Sequence, residues 1–246
     1  MAATLLCATV LAACDERRPV PPPEAPRVRV VVEEAAARAA ERAGVDLEAI
    51  VDAAVDRVGR HLDLPETVIS VLVRPGSVIP ETGIGGFTDP STGEVFVYVD
   101  PRRRDFASAV DDWLALTIAH ELHHATRVAG GPGYGYSLQM TIVSEGLADV
   151  LSLETFPHRP PPWTRALGHR ALCLWWRRAL RRDLYDHDVW FYGAGRVPRW
   201  AGYSIGYALV RSYLRAHPSE TAAELVSAPV HQIVTGALLC GRSSSR

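Results

Sequence analysis

The segment "TIAHELHHATR", residues 117–127, gathers three histidines and a glutamate into five consecutive positions. His120 and His124 are four residues apart, so on a helix they share one face, one turn from each other. With Glu121 they form H-E-x-x-H, which brings two imidazoles onto one zinc ion and sets a carboxylate beside the water that the metal activates. A spacing of five would splay the imidazoles too far apart to share an ion. The preceding "WLALTIA" is apolar almost without break, so this helix enters a core. Imidazoles and a carboxylate there need partners, and a divalent cation supplies them. Catalytic zinc also needs a third protein ligand and one open position. Twenty-one residues after His124 stands Glu145, in "SEGLAD", with Asp149 four positions further on. On a helix both carboxylates share a face: Glu145 is the expected third ligand, and Asp149 is suited to orient a ligating imidazole. His123 lies near the same face as His120 and is expected to make a hydrogen bond at the cleft edge.

The elements that must hold these residues follow from periodicity. Residues 28–64 read as helical, with Leu47, Ile50, Val51, Ala54, Val55 and Val58 at three-to-four spacing. "TVISVLVRP" alternates and is β-branched, which predicts a strand ending at Pro75; "EVFVYVD" predicts a second, ending at Pro101. Between them "GIGGF" and "DPSTGE" read as turns. The motif helix is expected over about Phe106–Arg127, followed by a glycine-rich connector, "AGGPGYGY". Further helices are expected over Ser137–Thr155, Trp163–Arg182 and Tyr203–His217, with an aromatic, Gly-rich stretch before Trp200 and a closing helical segment. The glycines match neither phosphate-loop pattern. The fold class is α+β: a small β region followed by a mainly helical body, in one domain over 28–246.

Composition narrows the function. The chain has 246 residues and a net charge of −2, which gives no clustered basic excess for nucleic acid. All 26 basic residues are arginine. The Arg-rich stretch "WWRRALRR" reads first as the solvated face of an amphipathic helix, with contact to anionic lipid as the alternative. Residues 1–14, "MAATLLCATVLAAC", are uncharged and apolar, too short to span a bilayer, and read as a secretory signal that lacks the usual basic start. The ending "LAAC" resembles the bacterial lipoprotein box. That resemblance makes Cys14 a lipidated anchor, residues 15–27 a Pro-rich tether, and the chain an exported, membrane-anchored protein. Cys173 and Cys240 remain; pairing in an oxidising compartment is open to them, but each sits in a helical apolar pattern, and two buried thiols is the preferred reading.

HExxH followed by a glutamate in an ExxxD helix resembles the gluzincin, or thermolysin-like, metallopeptidases. More narrowly, "HELHHATR", "GYSLQMTIVSEGLAD", "PPPWT" and "VPRWAGYSIGYALV" are similar to blocks of a bacterial family of uncharacterised predicted zinc-dependent proteases, over roughly Ser70 to the C-terminus. The resemblance implies a zincin-like fold, a Zn²⁺ cofactor and a peptide or protein substrate. His120, His124 and Glu145 match its ligands, Glu121 the general base, and Asp149 the residue behind a ligand. An oxyanion donor is needed beside the metal. Tyr203 and Tyr207, four apart in "GYSIGY", are the candidates, Tyr203 first. In zincins an edge strand binds substrate in extended form, and by analogy "EVFVYVD" takes that role. Two alternatives stay open: a non-catalytic zinc lipoprotein that binds a partner, and a zinc hydrolase of another amide bond, such as one in the cell wall.

Overall fold

The computed structural model describes residues 27–182, 184–237 and 239–240. The expected signal segment, Cys14 and nearly all of the tether lie outside the described residues.

Four strands form one sheet: β1 (Val28–Val32), β2 (Thr67–Val73), β3 (Ile84–Thr88) and β4 (Val95–Val99). Their order is β1-β2-β4-β3. β1 and β4 each run parallel to β2, and β3 is antiparallel to β4. Two helices, α1 (Glu34–Arg42) and α2 (Leu47–Gly59), form the crossover from β1 to β2. The strand over Val28–Val32 corrects the expectation of a helix from residue 28. "VRVVV" is dominated by β-branched residues, which fit a pleated surface, and Val28 pairs with Thr67 through to Val32 with Val71. Residues 34–42 and 47–59 are helical as expected, and Asp46 caps α2 by accepting from the Ala49 N–H at 3.0 Å.

The second correction is β3, where "GIGGF" was expected as a turn. Its glycines mark close approach instead of reversal. A Cβ on Gly85 would lie 2.2 Å from the Ser77 carbonyl oxygen, and one on Gly86 would lie 2.3 Å from Glu121 Oε1. β3 is the edge strand on the motif-helix side and β4 is interior, which corrects the expectation that "EVFVYVD" is the edge strand beside the cleft.

The helical body begins with α3 (Phe106–Gly130), which carries the motif and packs against β3 and α2. α4 (Leu138–Thr155) starts at Ser137, whose hydroxyl accepts from the Met140 N–H. The expected helix over 163–182 is broken into a 3₁₀ turn, Pro162–Arg165, and α5 (His169–Ala179). Ser204 Oγ pins that turn, donating to the Trp163 carbonyl at 2.6 Å and accepting from Ala166 N–H at 3.0 Å. A π-helical turn, Asp188–Tyr192, α6 (Ala201–Ala216) and α7 (Val230–Gly236) complete the order. α4 and α6 cross backbone to backbone. A Cβ on Gly146 would lie 2.2 Å from the Gly206 carbonyl oxygen, and one on Gly206 2.1 Å from that of Ile142.

Two apolar clusters hold the layers. The larger joins the inner sheet face to α1–α4 through residues such as Val71, Val97, Leu114, Ile118 and Leu122; the smaller joins α4, α5 and α6 through Ile142, Trp176, Phe191 and Ile205. Cys173 and Cys240 form a disulfide, with Cα atoms 5.5 Å apart, which corrects the expectation of two buried thiols. α5 and α7 both pack on α6, and this brings together cysteines 67 residues apart. Among the described residues, no helix is long and apolar enough to cross a membrane.

Candidate metal centre

His120 and His124 project from one face of α3 towards Glu145 on α4. His120 Nε2 lies 3.0 Å from His124 Nε2 and 3.0 Å from Glu145 Oε2, and His124 Nε2 lies 3.5 Å from Glu145 Oε1. Four-coordinate zinc with bonds of about 2.0–2.1 Å sets its ligand atoms roughly 3.3 Å apart. The three donors fit that spacing, and their ligand atoms lie within 4.8 Å of one another.

The second nitrogen of each imidazole is already engaged. His120 Nδ1 is 3.1 Å from Asp149 Oδ1, and the same oxygen accepts from Trp163 Nε1–H at 3.0 Å. His124 Nδ1 is 3.3 Å from Ser144 Oγ. Donation from both Nδ1 atoms is the state that would free both Nε2 lone pairs for a cation. The groups behind the ligands hold that arrangement in place. Glu145 and Asp149 are almost wholly buried. Burial works to raise both carboxyls; at Glu145 the neighbouring His124 and His120 override it and hold the group well below the usual range, whereas Asp149 ends up raised.

Glu121 sits beside this set under β3. The Thr88 hydroxyl donates to its Oε2 at 2.7 Å and lies 3.0 Å from its carbonyl oxygen. Burial pushes the Glu121 carboxyl up, against the opposing pull of His120, His124 and the Thr88 hydrogen bond. Gly86 leaves room for the carboxylate, because any side chain there would occupy its place. A cavity of about 560 Å³ opens onto His120 and Glu121, with apolar walls from Ile79, Phe87, Trp113, Leu116 and Trp200. A smaller one of about 270 Å³ reaches all three donors.

Each expected site residue on α3 and α4 except His123 lies at this centre. His123 is fully buried with neither ring nitrogen hydrogen-bonded, so it is not at the cleft edge; burial holds it well below the usual histidine range, in the neutral form. Its position on the inward side of α3, next to the larger core, explains the difference. The two tyrosines of α6 separate. Tyr203 lines both cavities, whereas Tyr207 packs against the larger core.

The structure also adds residues that the sequence reading passed over. Tyr134, in the glycine-rich connector, donates to Glu145 Oε1 at 2.5 Å and sets its ring edge-on to His124 at 5.1 Å. His187, just before the π-helical turn, and Tyr192, at its end, line the smaller cavity. Ser144, Thr88, Gly86 and Trp163 belong to the same set. Only "GIGGF" carried a signal, since glycine inside an alternating stretch marks close backbone approach; the polar residues were too common in type to stand out.

An α+β fold with a small mixed sheet, a mostly helical body and a His/His/Glu set able to hold a metal defines a candidate zinc hydrolase. Residues 49–235 match the family described as "Predicted Zn-dependent protease (DUF2268)", and the chain belongs to that family. It is also similar to the uncharacterized protein YjaZ of Bacillus subtilis (strain 168), at 28% identity over 120 residues, covering 44% of this chain. The aligned part spans 45% of that relative's length. No solved structure matches.

Proposed function

We propose that this chain is a zinc metallopeptidase of gluzincin type, with a zincin-like fold, in which His120, His124 and Glu145 hold the metal and Glu121 is the general base. The carrying observation is the convergence of two Nε2 atoms and a carboxylate within 3.0–3.5 Å of one another, with a second, separately held carboxylate beside them. A zinc ion held by His120, His124 and Glu145 would supply Lewis acidity to a scissile carbonyl and lower the pKa of the attacking water.

The chain's own residues supply the rest. Glu121, oriented by Thr88, accepts the water proton and passes it to the leaving amine. Asp149 and Ser144 keep the two imidazoles aimed with Nε2 forward. Tyr203 is one donor to the oxyanion. Tyr134 is a second, and its hydroxyl is already at the ligand set. An extended peptide adds to the β3 edge, and the apolar cavity walled by Trp113, Leu116 and Trp200 takes a side chain next to the scissile bond. Export and anchoring through Cys14 complete the reading. "LAAC" supports the anchor, and the Cys173–Cys240 disulfide fits an oxidising compartment.

The test is a peptide library offered to the zinc-loaded protein, with Glu121→Gln as control. The variant is expected to keep about one zinc per chain and to lose roughly 10²–10⁴-fold in turnover. Unchanged turnover in Glu121→Gln would remove it as the base. A zinc-replete protein that cleaves no peptide but hydrolyses a cell-wall amide would redirect the substrate assignment.

A further inference from the structure

Away from the metal centre, the described surface carries one patch that mixes arginine with exposed leucine. Between Glu154 and Asp183 the chain has seven arginines and no acidic residue. On α5, Arg170, Leu174, Arg177, Arg178 and, two residues past its end, Arg181 recur at three-to-four spacing and share one exposed face. The opposite face packs Trp176 and Ala179 into the smaller core, and the Cys173–Cys240 disulfide ties the helix to the C-terminal segment. The platform is therefore held firmly from behind.

Three of the most exposed large apolar side chains stand among these charges: Leu174 at 49%, Leu180 at 43% and Leu184 at 88%. Beside them runs a groove of about 870 Å³, walled by Trp175, Trp190, Arg178, Arg181, Arg182 and Arg196. The Arg178 guanidinium lies over the Trp175 ring, 4.4 Å from its centre. Among the described residues, none of Arg170, Arg177, Arg178, Arg181, Arg182 and Arg196 makes an ion pair. Of the nearby acids, Asp186 accepts from the Val189 N–H. The same π-helical turn sends Trp190 into this groove and Tyr192 towards the metal centre.

We propose that this face is a docking surface for an anionic lipid bilayer. A soluble anion would engage the guanidinium groups and leave the leucines in water. A bilayer surface meets both needs: phosphates accept bidentate hydrogen bonds from arginine, and the leucines with Trp175 enter the boundary between headgroups and acyl chains. The stretch "WWRRALRR" is thus a solvated face only in part, since the leucines beside it add the apolar component that a merely solvated face lacks. The surface is separate from the ligand set and stands whether or not the centre hydrolyses peptides.

The experiment uses the full chain as Cys14→Ser, so that no acyl chain contributes. It compares co-sedimentation with vesicles of phosphatidylcholine alone and with added phosphatidylglycerol. Binding is expected to favour the anionic vesicles and to weaken with salt. Each arginine near the surface contributes about fivefold, so Arg178→Gln/Arg181→Gln/Arg182→Gln should bind roughly a hundredfold more weakly. Leu184→Ser should weaken vesicle binding while leaving retention on immobilised heparin unchanged. Both variants should melt with the parent protein. Equal binding to the two vesicle types, or anionic binding unmoved by the arginine changes, overturns the proposal. So does a Leu184→Ser variant that binds vesicles as before, because the patch would then read charge alone.

Discussion

Replacing Gly86 by alanine tests how Glu121, the proposed general base, is held. The added Cβ would lie 2.3 Å from Glu121 Oε1 and 2.8 Å from its Cγ and Cδ. An ordinary carbon–oxygen contact is roughly 3.3 Å or longer, so about 1 Å must be found. β3 is held in its ladder, with Gly86 opposite Val97, whereas the Glu121 carboxylate is the free end of a flexible side chain. The carboxylate is therefore the part that yields, and the Thr88 hydrogen bond at 2.7 Å stretches or breaks. A displacement of about 1 Å from reacting geometry costs on the order of 10²-fold in rate. Global stability should change little, and zinc content not at all, because the three atoms nearest the new methyl group all belong to Glu121 and none to His120, His124 or Glu145. The assay is steady-state peptide hydrolysis by the zinc-loaded variant, alongside metal analysis and thermal melting. Gly85→Ala is the contrast: its Cβ meets the Ser77 carbonyl at 2.2 Å, a backbone atom with nowhere to go, so that variant should lose stability. Full turnover in Gly86→Ala would refute the placement of Glu121 under β3. Loss of zinc or of fold in that variant would refute the claim that only the base moves.

Asp149→Asn should lower zinc affinity about 10–100-fold by weakening the support of His120, read by competition with a chelating dye; Ser144→Ala should act in the same direction through His124. Gly146→Ala places a Cβ 2.2 Å from the Gly206 carbonyl, so α4 and α6 must separate; a loss of at least about 1–3 kcal/mol is expected in denaturant melts, with weaker zinc binding, since Glu145 and Asp149 flank it. Reducing the Cys173–Cys240 disulfide, which closes a separation of 67 residues, should cost about 4 kcal/mol on the loop-entropy model and lower the melting temperature. Removing zinc should abolish turnover and lower the melting temperature while leaving the far-ultraviolet spectrum nearly unchanged, because both apolar clusters are built from residues other than His120, His124 and Glu145. Unfolding on chelation would favour a purely structural zinc.

The candidate ligand set was legible in the sequence because a helix converts spacing directly into direction. His120 and His124 share a face by virtue of four residues, and so do Glu145 and Asp149, wherever their helices end up. β2 and β4 were legible for the same reason, as alternation is a local property of a strand. What lay beyond reach depended on pairing between distant segments. Val28–Val32 is a strand because β2 offers it a partner, and "GIGGF" is a strand because β4 does. His123 carries the same residue type as its neighbours, and only the packing of α3 against the core turns it away from the centre. Tyr134 reaches Glu145 through the path of a connector with no period to read. The disulfide formed against expectation because α5 and α7 meet on α6. Local geometry thus determined which residues could ligate a metal. The tertiary structure decided what stands behind them, which strand borders them, and which face of the molecule is left with arginine and leucine in the open.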